Sequence, residues 1–247
     1  MKAFLLAAGK GTRLRPLTDT TPKCLLPICG KPLLGIWLEL LERHGIAEVL
    51  INTHHHAEQV ESFLRFRQEQ HRLKILISHE DVLLGSAGTL WRNRDFVSGE
   101  EAFLIAYADN LTNADVTDLF RVHHRTLQQG GILTMALFHA PQPAACGIAS
   151  IDPEGRITAF EEKPRNPRSD LANAGIYVAS EAIFEVFPQS VESRASGILD
   201  IGHDVLPRLV HRMFGTVLNA YLRDIGTPES YQAALEEWPR EIAGSGR

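Results

Sequence analysis

Near its start the chain reads Ala3-Phe4-Leu5-Leu6-Ala7-Ala8-Gly9-Lys10-Gly11-Thr12-Arg13-Leu14, an apolar run that breaks into two glycines around a lysine. Residues 3–7 are all small or apolar, which predicts a strand buried on both faces. The glycines predict a turn at its carboxyl end, where open α/β sheets bind their ligands. Glycine there lets backbone N–H groups approach an anion closely. Two familiar phosphate loops are excluded: G-x-x-x-x-G-K-[ST] is absent, and Leu14 stands where the third glycine of G-x-G-x-x-G would fall. A glycine turn alone is equally well ordinary turn chemistry. Arg13 adds a planar donor fork, and Lys23, held after Pro22, adds a second positive charge; together they fit a triphosphate.

Outward from that strand, short apolar runs alternate with amphipathic ones, the pattern of strands joined by crossover helices. Residues 49–52, 74–78 and 102–108 read as strands, and 33–44, 57–66, 87–94 and 115–128 as helices. Leu34, Trp37, Leu38 and Leu41 share one face of the first helix, and Gly45 ends it. Beyond Gly130 the strands 132–138, 147–151, 156–162 and 174–179 follow one another, with Asp152-Pro153-Glu154-Gly155 as turn chemistry between two of them. Helices near 180–187 and 200–213, a strand near 216–222 and a helix over 228–237 restore the alternation. These runs predict one three-layer α/β domain over residues 1–238, its mixed central sheet mostly parallel and carrying a small β insertion. A loose tail over 239–247 is expected to follow.

With 247 residues, 44% of them hydrophobic and 22% charged, the chain can bury a core without disulfides or a structural metal. A formal charge of −5 argues against a surface that neutralises a nucleic-acid backbone. No stretch approaches the ~20 apolar residues of a membrane span, and the first apolar run is too short for a signal peptide. No nucleic-acid partner, no membrane and a cytoplasmic location are therefore expected; homo-oligomerisation stays open. Cys24, Cys29 and Cys146 lack a zinc spacing and read as buried thiols. His54-His55-His56 reads as a loop at a strand end, because neighbours on a strand point to opposite faces.

L-A-A-G-K-G-T-R-L-R-P-L-T at 6–18, followed by P-K-C-L-L-P at 22–27, resembles the signature of the sugar-nucleotide pyrophosphorylases, or sugar-1-phosphate nucleotidyltransferases. The resemblance extends from Met1 to about Trp238. It implies a Rossmann-like (GT-A-like) nucleotidyltransferase fold whose substrates are a nucleoside triphosphate and a sugar 1-phosphate, with Mg²⁺ as cofactor and an NDP-sugar and pyrophosphate as products. In that family the loop matching Ala7, Ala8, Gly9, Gly11 and Thr12 wraps the nucleotide, and the residues matching Arg13 and Lys23 act on the reacting phosphates. L-G-S-A-G-T at 84–89 is similar to the family's L-G-T-A-G, whose glycine matching Gly88 contacts the base.

Asp109, after F-L-I-A-Y-A, and Asp224, in Y-L-R-D-I-G-T-P-E, each lie at the carboxyl end of a strand, a place where Asp commonly serves as turn or cap. The resemblance implies that both hold the metal. It implies likewise that Glu162 and Lys163 of E-E-K-P bind sugar hydroxyls and sugar phosphate, and that Gly147 of C-G-I and Asn173 of N-A-G-I-Y line the sugar pocket. Two departures stand out: Cys24 where proline, alanine or glutamine is usual, and Ala108 where the family has glycine. The wording is closest to guanylyltransferases acting on mannose- or heptose-type 1-phosphates, though uridylyl- and thymidylyltransferases share much of it. A catalytically silent nucleotide-binding subunit is the rival, and the presence of Arg13, Lys23, Asp109 and Asp224 together argues against it.

Overall fold

The computed structural model describes residues 1–69, 72–188 and 198–244. Along them run β1 (Lys2–Leu6), β2 (Pro27–Ile28), β3 (Lys31–Pro32), α1 (Leu33–Arg43), β4 (Glu48–Thr53), α2 (Ala57–Gln68), β5 (Lys74–His79) and α3 (Ser86–Arg92). Next come β6 (Phe103–Tyr107), β7 (Asn110–Thr112), α4 (Val116–Gln128), β8 (Leu133–His139), β9 (Gly147–Ile151) and β10 (Ile157–Glu162). The chain closes with β11 (Leu171–Ala179), β12 (Met213–Val217), β13 (Leu222–Asp224) and α5 (Pro228–Gly244). The α/β class and the mixing of parallel with antiparallel strands are as the alternating pattern predicts.

Two compact units share the chain. The first takes Met1–Phe4, Leu83–Ala106 and Val116–Leu218; the second takes Leu5–Val82, Tyr107–Asp115 and Asn219–Arg247. In the first unit β11 is the hub, antiparallel to β6, β8 and β9, while β10 pairs antiparallel with β9 and β12 runs parallel to β8. The β11–β8 register slips between Asn173 and Tyr177, where Gly175 adopts φ +68°. In the second unit β4 and β5 pair in parallel from Glu48↔Lys74 to Thr53↔His79. There α1 buries Leu33, Leu34, Trp37, Leu38, Leu40 and Leu41, an i, i+3, i+4, i+7 stripe.

On α4 the buried stripe is Val116, Leu119, His123 and Thr126, which puts a histidine in the core of the first unit. His123 Nδ1 lies 3.0 Å from Thr134 Oγ1, and that hydroxyl donates to Thr126 Oγ1 at 2.9 Å. The other ring nitrogen, Nε2, is buried with no hydrogen-bond partner. Burial, helped by His124, pushes the His123 pKa down from 6.5 to about 4. The depressed value means that in acid the unfolded chain takes up a proton the folded one refuses. The stabilisation from neutral His123 is complete above pH 6.5 and is lost as pH falls from 6.5 towards 4. At about 1.4 kcal/mol per pH unit this amounts to roughly 3 kcal/mol. Denaturant unfolding at pH 7 and pH 4.5 is expected to show a larger acid loss for the wild type than for His123→Gln; equal losses would refute it.

Several sequence expectations need correction. Residues 200–213 do not form an α-helix. They form a π turn, Ile201–Val205, and a 3-10 turn, Leu206–Leu209, because Pro207 has no N–H to donate and its ring obstructs the preceding turn. The strand expected near 216–222 resolves into β12, ending at Val217, and β13, starting at Leu222, and the helix near 180–187 is a 3-10 stretch, Glu181–Val186. The last helix reaches Gly244 with Pro239 inside it; residues 245–247 of the expected tail lie outside the described residues. Of the three cysteines only Cys24 is buried. Cys29 is exposed because Cys29 (φ +50°) and Gly30 (φ +81°) form the two-residue turn of the β2–β3 hairpin, a left-handed pair that points into solvent.

Candidate active site

The second unit assembles the glycine turn from strand ends. Leu6 O accepts the Ala108 N–H at 2.9 Å, so the end of β1 lies beside the residue that precedes Asp109. The Ala7 N–H donates to Asn52 Oδ1 at 2.8 Å, and Asn52 Nδ2 donates to Glu80 Oε1 at 2.9 Å. A carboxylate offers only acceptors, so Glu80, fully buried, decides which end of the Asn52 amide faces the loop. Sequence reasoning missed both residues. The legible signal was a polar residue closing each apolar strand, Asn52 in V-L-I-N-T and Glu80 after I-S-H.

Gly11 sits at φ +63°, and Thr18 Oγ1 donates to its carbonyl at 2.8 Å, so this glycine serves the backbone. Gly9 is different. It is not at positive φ, and a Cβ built on it meets nothing within 4 Å. The space over Gly9 is therefore free for a ligand, and Gly9→Ala is expected to leave unfolding free energy within about 1 kcal/mol of wild type. If the turn holds a triphosphate, as the sequence leads one to expect, the same methyl raises the KM for it at least about tenfold by holding phosphate off the backbone. Steady-state kinetics beside a denaturation curve check both halves; an unchanged KM would remove Gly9 from the phosphate site.

Asp109 and Asp224 converge through backbone pairing. Asp224 is the register partner of Asn110 between β13 and β7, and the Ile225 N–H donates to Asp109 O at 3.1 Å. Between the two carboxylates lies the Lys23 ammonium, 2.8 Å from Asp109 Oδ2 and 2.9 Å from Asp224 Oδ1. Lys23 is 7% exposed. Burial works to lower its pKa, but the attraction and hydrogen bonds of Asp109 and Asp224 outweigh that and hold it above the ordinary lysine value. Arg13 Nη2 stands 3.8 Å from Asp224 Oδ2 on an exposed side chain that is open to phosphate. Ala108 is fully buried and outside the left-handed region, so alanine fits where the family's glycine was expected. Burial pushes the neighbouring Cys24 thiol up to about 12, which keeps it neutral.

Hard oxygens of two carboxylates aimed at one cation suit Mg²⁺, which commonly takes one or two carboxylates and completes its shell with phosphate oxygens and water. The Lys23 ammonium is the observation that tests the fit, since a cation already bridges both side chains. Among the described residues no group of three His, Cys, Asp or Glu converges on a metal. His54 Nδ1 instead lies 2.8 Å from Glu80 O, and the His55 and His56 rings pack with centroids 4.0 Å apart.

Gly88, Gly147, Glu162, Lys163 and Asn173 all fall in the first unit. Gly147 faces Glu162 across the β9–β10 pair. Lys163, at φ +48°, donates its N–H to Cys146 O and brings its Nζ to 3.9 Å from Glu162 Oε1. Burial, with Asp200 adding to it against the pull of Lys163, raises the Glu162 pKa. Asn173 is engaged by the fold: Nδ2 donates to Tyr177 Oη at 2.6 Å and Oδ1 accepts from the Gly175 N–H at 2.9 Å. Gly88 donates to Leu199 O at 3.4 Å. Asp200, a residue sequence reasoning passed over, accepts from the Ser86 hydroxyl at 3.0 Å.

Glycine turn, buried lysine and paired strand-end aspartates are the layout of an α/β nucleotide-handling protein. The chain belongs to the nucleotidyl transferase family, whose model matches residues 2–241. It is 33% identical to a UTP–glucose-1-phosphate uridylyltransferase of Synechocystis, over 98% of this chain and 64% of that protein. It is 30% identical to the mannose-1-phosphate guanylyltransferase catalytic subunit beta of Danio rerio, over 95% of this chain and 64% of that one. The chain thus spans just under two thirds of the length of these relatives. A putative glucose-1-phosphate thymidylyltransferase from Bacillus anthracis has a similar structure, with a TM-score of 0.79 and 30% identity over 96% of this chain and 94% of that one. No helix among the described residues is long and apolar enough to cross a membrane.

Proposed function

We propose that this protein is a sugar-1-phosphate nucleotidyltransferase, converting a nucleoside triphosphate and a sugar 1-phosphate into an NDP-sugar and pyrophosphate. The observation that carries the reading is the bridging of Asp109 and Asp224 by Lys23 beside the glycine turn. Members of the family typically depend on a divalent metal; here Asp109 and Asp224 would hold Mg²⁺, which neutralises phosphate charge when bound. A sugar-phosphate oxygen forms the new bond to the α-phosphorus as the bond to the bridging oxygen breaks, and pyrophosphate leaves with that electron pair. Lys163 binds the sugar phosphate, Glu162 accepts from sugar hydroxyls, and Arg13 and Lys23 offset charge on the triphosphate. The nucleophile is already an anion, so no residue acts as general base. Ala7, Ala8, Gly9, Gly11 and Thr12 hold the nucleotide phosphates, and Gly88 lies against the base.

Within this reading GTP and a mannose- or heptose-type 1-phosphate are the favoured substrates, supported by the wording of residues 6–18 and 84–89. Uridylyl- and thymidylyl-transfer to a hexose 1-phosphate is the second reading, supported by the names of two of the relatives. Pyrophosphate release with Mg²⁺ across nucleoside triphosphates and glucose, mannose, N-acetylhexosamine and heptose 1-phosphates tests both. Turnover in one pairing names the substrates. Silence in every pairing, with nucleotide binding intact, overturns the enzymatic reading.

A further inference from the structure

Glu162 carries the sugar end of the proposed reaction, and two glycines without backbone need of glycine enclose its carboxylate. A Cβ on Gly147 would lie 2.5 Å from Glu162 Oε2; one on Gly202 would lie 2.7 Å from the same oxygen and 3.0 Å from Cδ. Neither glycine is at positive φ, so what the site uses is the missing side chain. The turn bearing Gly202 is itself held fast. Asp200 Oδ1 accepts from the His203 N–H at 3.1 Å and Oδ2 accepts from the Ser86 hydroxyl at 3.0 Å. Ser86 Oγ in turn accepts from the Ile201 N–H at 2.8 Å, and the Asp200 N–H donates to Asp204 Oδ2 at 2.8 Å.

We propose that Gly202 is a positioning residue: with Gly147 it fixes the aim of the Glu162 carboxylate, and the Ser86–Asp200 contact ties that aim to the first residue of α3. The inference rests on the reading of Glu162 as the sugar-binding carboxylate. A methyl at Gly202 meets chiefly the far end of the Glu162 side chain, so the fold accommodates it while the carboxylate swings away. Glu162 is half-buried, and a charged neighbour, the Lys163 ammonium, stands 3.9 Å from Oε1, which leaves the carboxylate room for that swing.

Measurement of both KM values and thermal unfolding in wild type, Gly202→Ala, Glu162→Ala and the double variant tests the proposal. Gly202→Ala is expected to raise the KM for the sugar 1-phosphate about tenfold to a hundredfold, the scale of a small misplacement of a binding group. The KM for the nucleoside triphosphate and the unfolding midpoint stay at their wild-type values. In the Glu162→Ala background Gly202→Ala adds nothing, because no carboxylate remains to be displaced. An equal rise in both backgrounds, or no rise in the single variant, overturns the role of Gly202 alone. A Glu162→Ala variant with unchanged KM overturns the sugar-site reading and this inference with it.

Discussion

Asparagine in place of Asp109 is expected to lower kcat about a thousandfold, which is roughly 4 kcal/mol of barrier. The substitution keeps the shape of the side chain and removes its charge. Lys23 retains its second partner, Asp224 Oδ1 at 2.9 Å, so the buried ammonium is still compensated and the second unit is expected to fold. On the proposed reading, Asp109 and Asp224 would hold a metal that neutralises phosphate charge, and a site of one carboxylate and one neutral amide would hold it much less tightly. Asp224→Asn is expected to behave alike, since Lys23 then keeps Asp109 Oδ2 at 2.8 Å and both carboxylates are proposed to act on one ion. Pyrophosphate release titrated with Mg²⁺ reads the effect, and far-ultraviolet circular dichroism controls for folding. Full Mg²⁺-dependent turnover in Asp109→Asn would remove this residue from the metal.

That prediction starts from residues legible in the sequence, since Asp109 and Asp224 each lie at the carboxyl end of a strand. Their convergence was implied by the family resemblance and by no local pattern, because it depends on pairing between β7 and β13, segments more than a hundred residues apart. The helices with clean apolar stripes, α1 and α4, stand close to where periodicity put them. Periodicity failed at 200–213, where apolar spacing suits a helix but Pro207 cannot join one. Buried Asn52 and Glu80 in the second unit, and half-buried Asp200 in the first, were passed over for a related reason. Each is a single polar residue whose role lies in a hydrogen bond to a group distant in sequence, and a polar residue at a strand end does not by itself say which group that is. Gly9 and Gly11 divide along the same line, since the sequence puts both in one turn and only geometry separates backbone need at Gly11 from open space at Gly9.

Gly85→Ala is expected to destabilise the fold by about 4 kcal/mol, in contrast to Gly9→Ala, which leaves stability nearly unchanged. Gly85 stands at φ 80°, ψ 166°, a region that residues with a Cβ enter only at a cost of about 1–3 kcal/mol. Space adds to strain. Its Cβ would lie 2.3 Å from Leu199 O and 2.9 Å from Leu199 C, contacts with backbone that no rotamer change relieves. Leu199 cannot simply withdraw, because its carbonyl accepts from the Ala87 N–H at 3.0 Å and the Gly88 N–H at 3.4 Å, and its own N–H donates to Leu84 O at 2.9 Å. Moving it forfeits such bonds at about 1 kcal/mol each. Denaturant unfolding of Gly85→Ala beside Gly9→Ala measures the contrast. A Gly85 variant within about 1 kcal/mol of wild type would mean that the entry to α3 has a second conformation of nearly equal energy, and Ser86–Asp200 could not then hold it in one position. A loss near the expected size would mean that the first unit needs glycine at residue 85 to fold, whereas the second unit needs it at residue 9 only when a phosphate arrives.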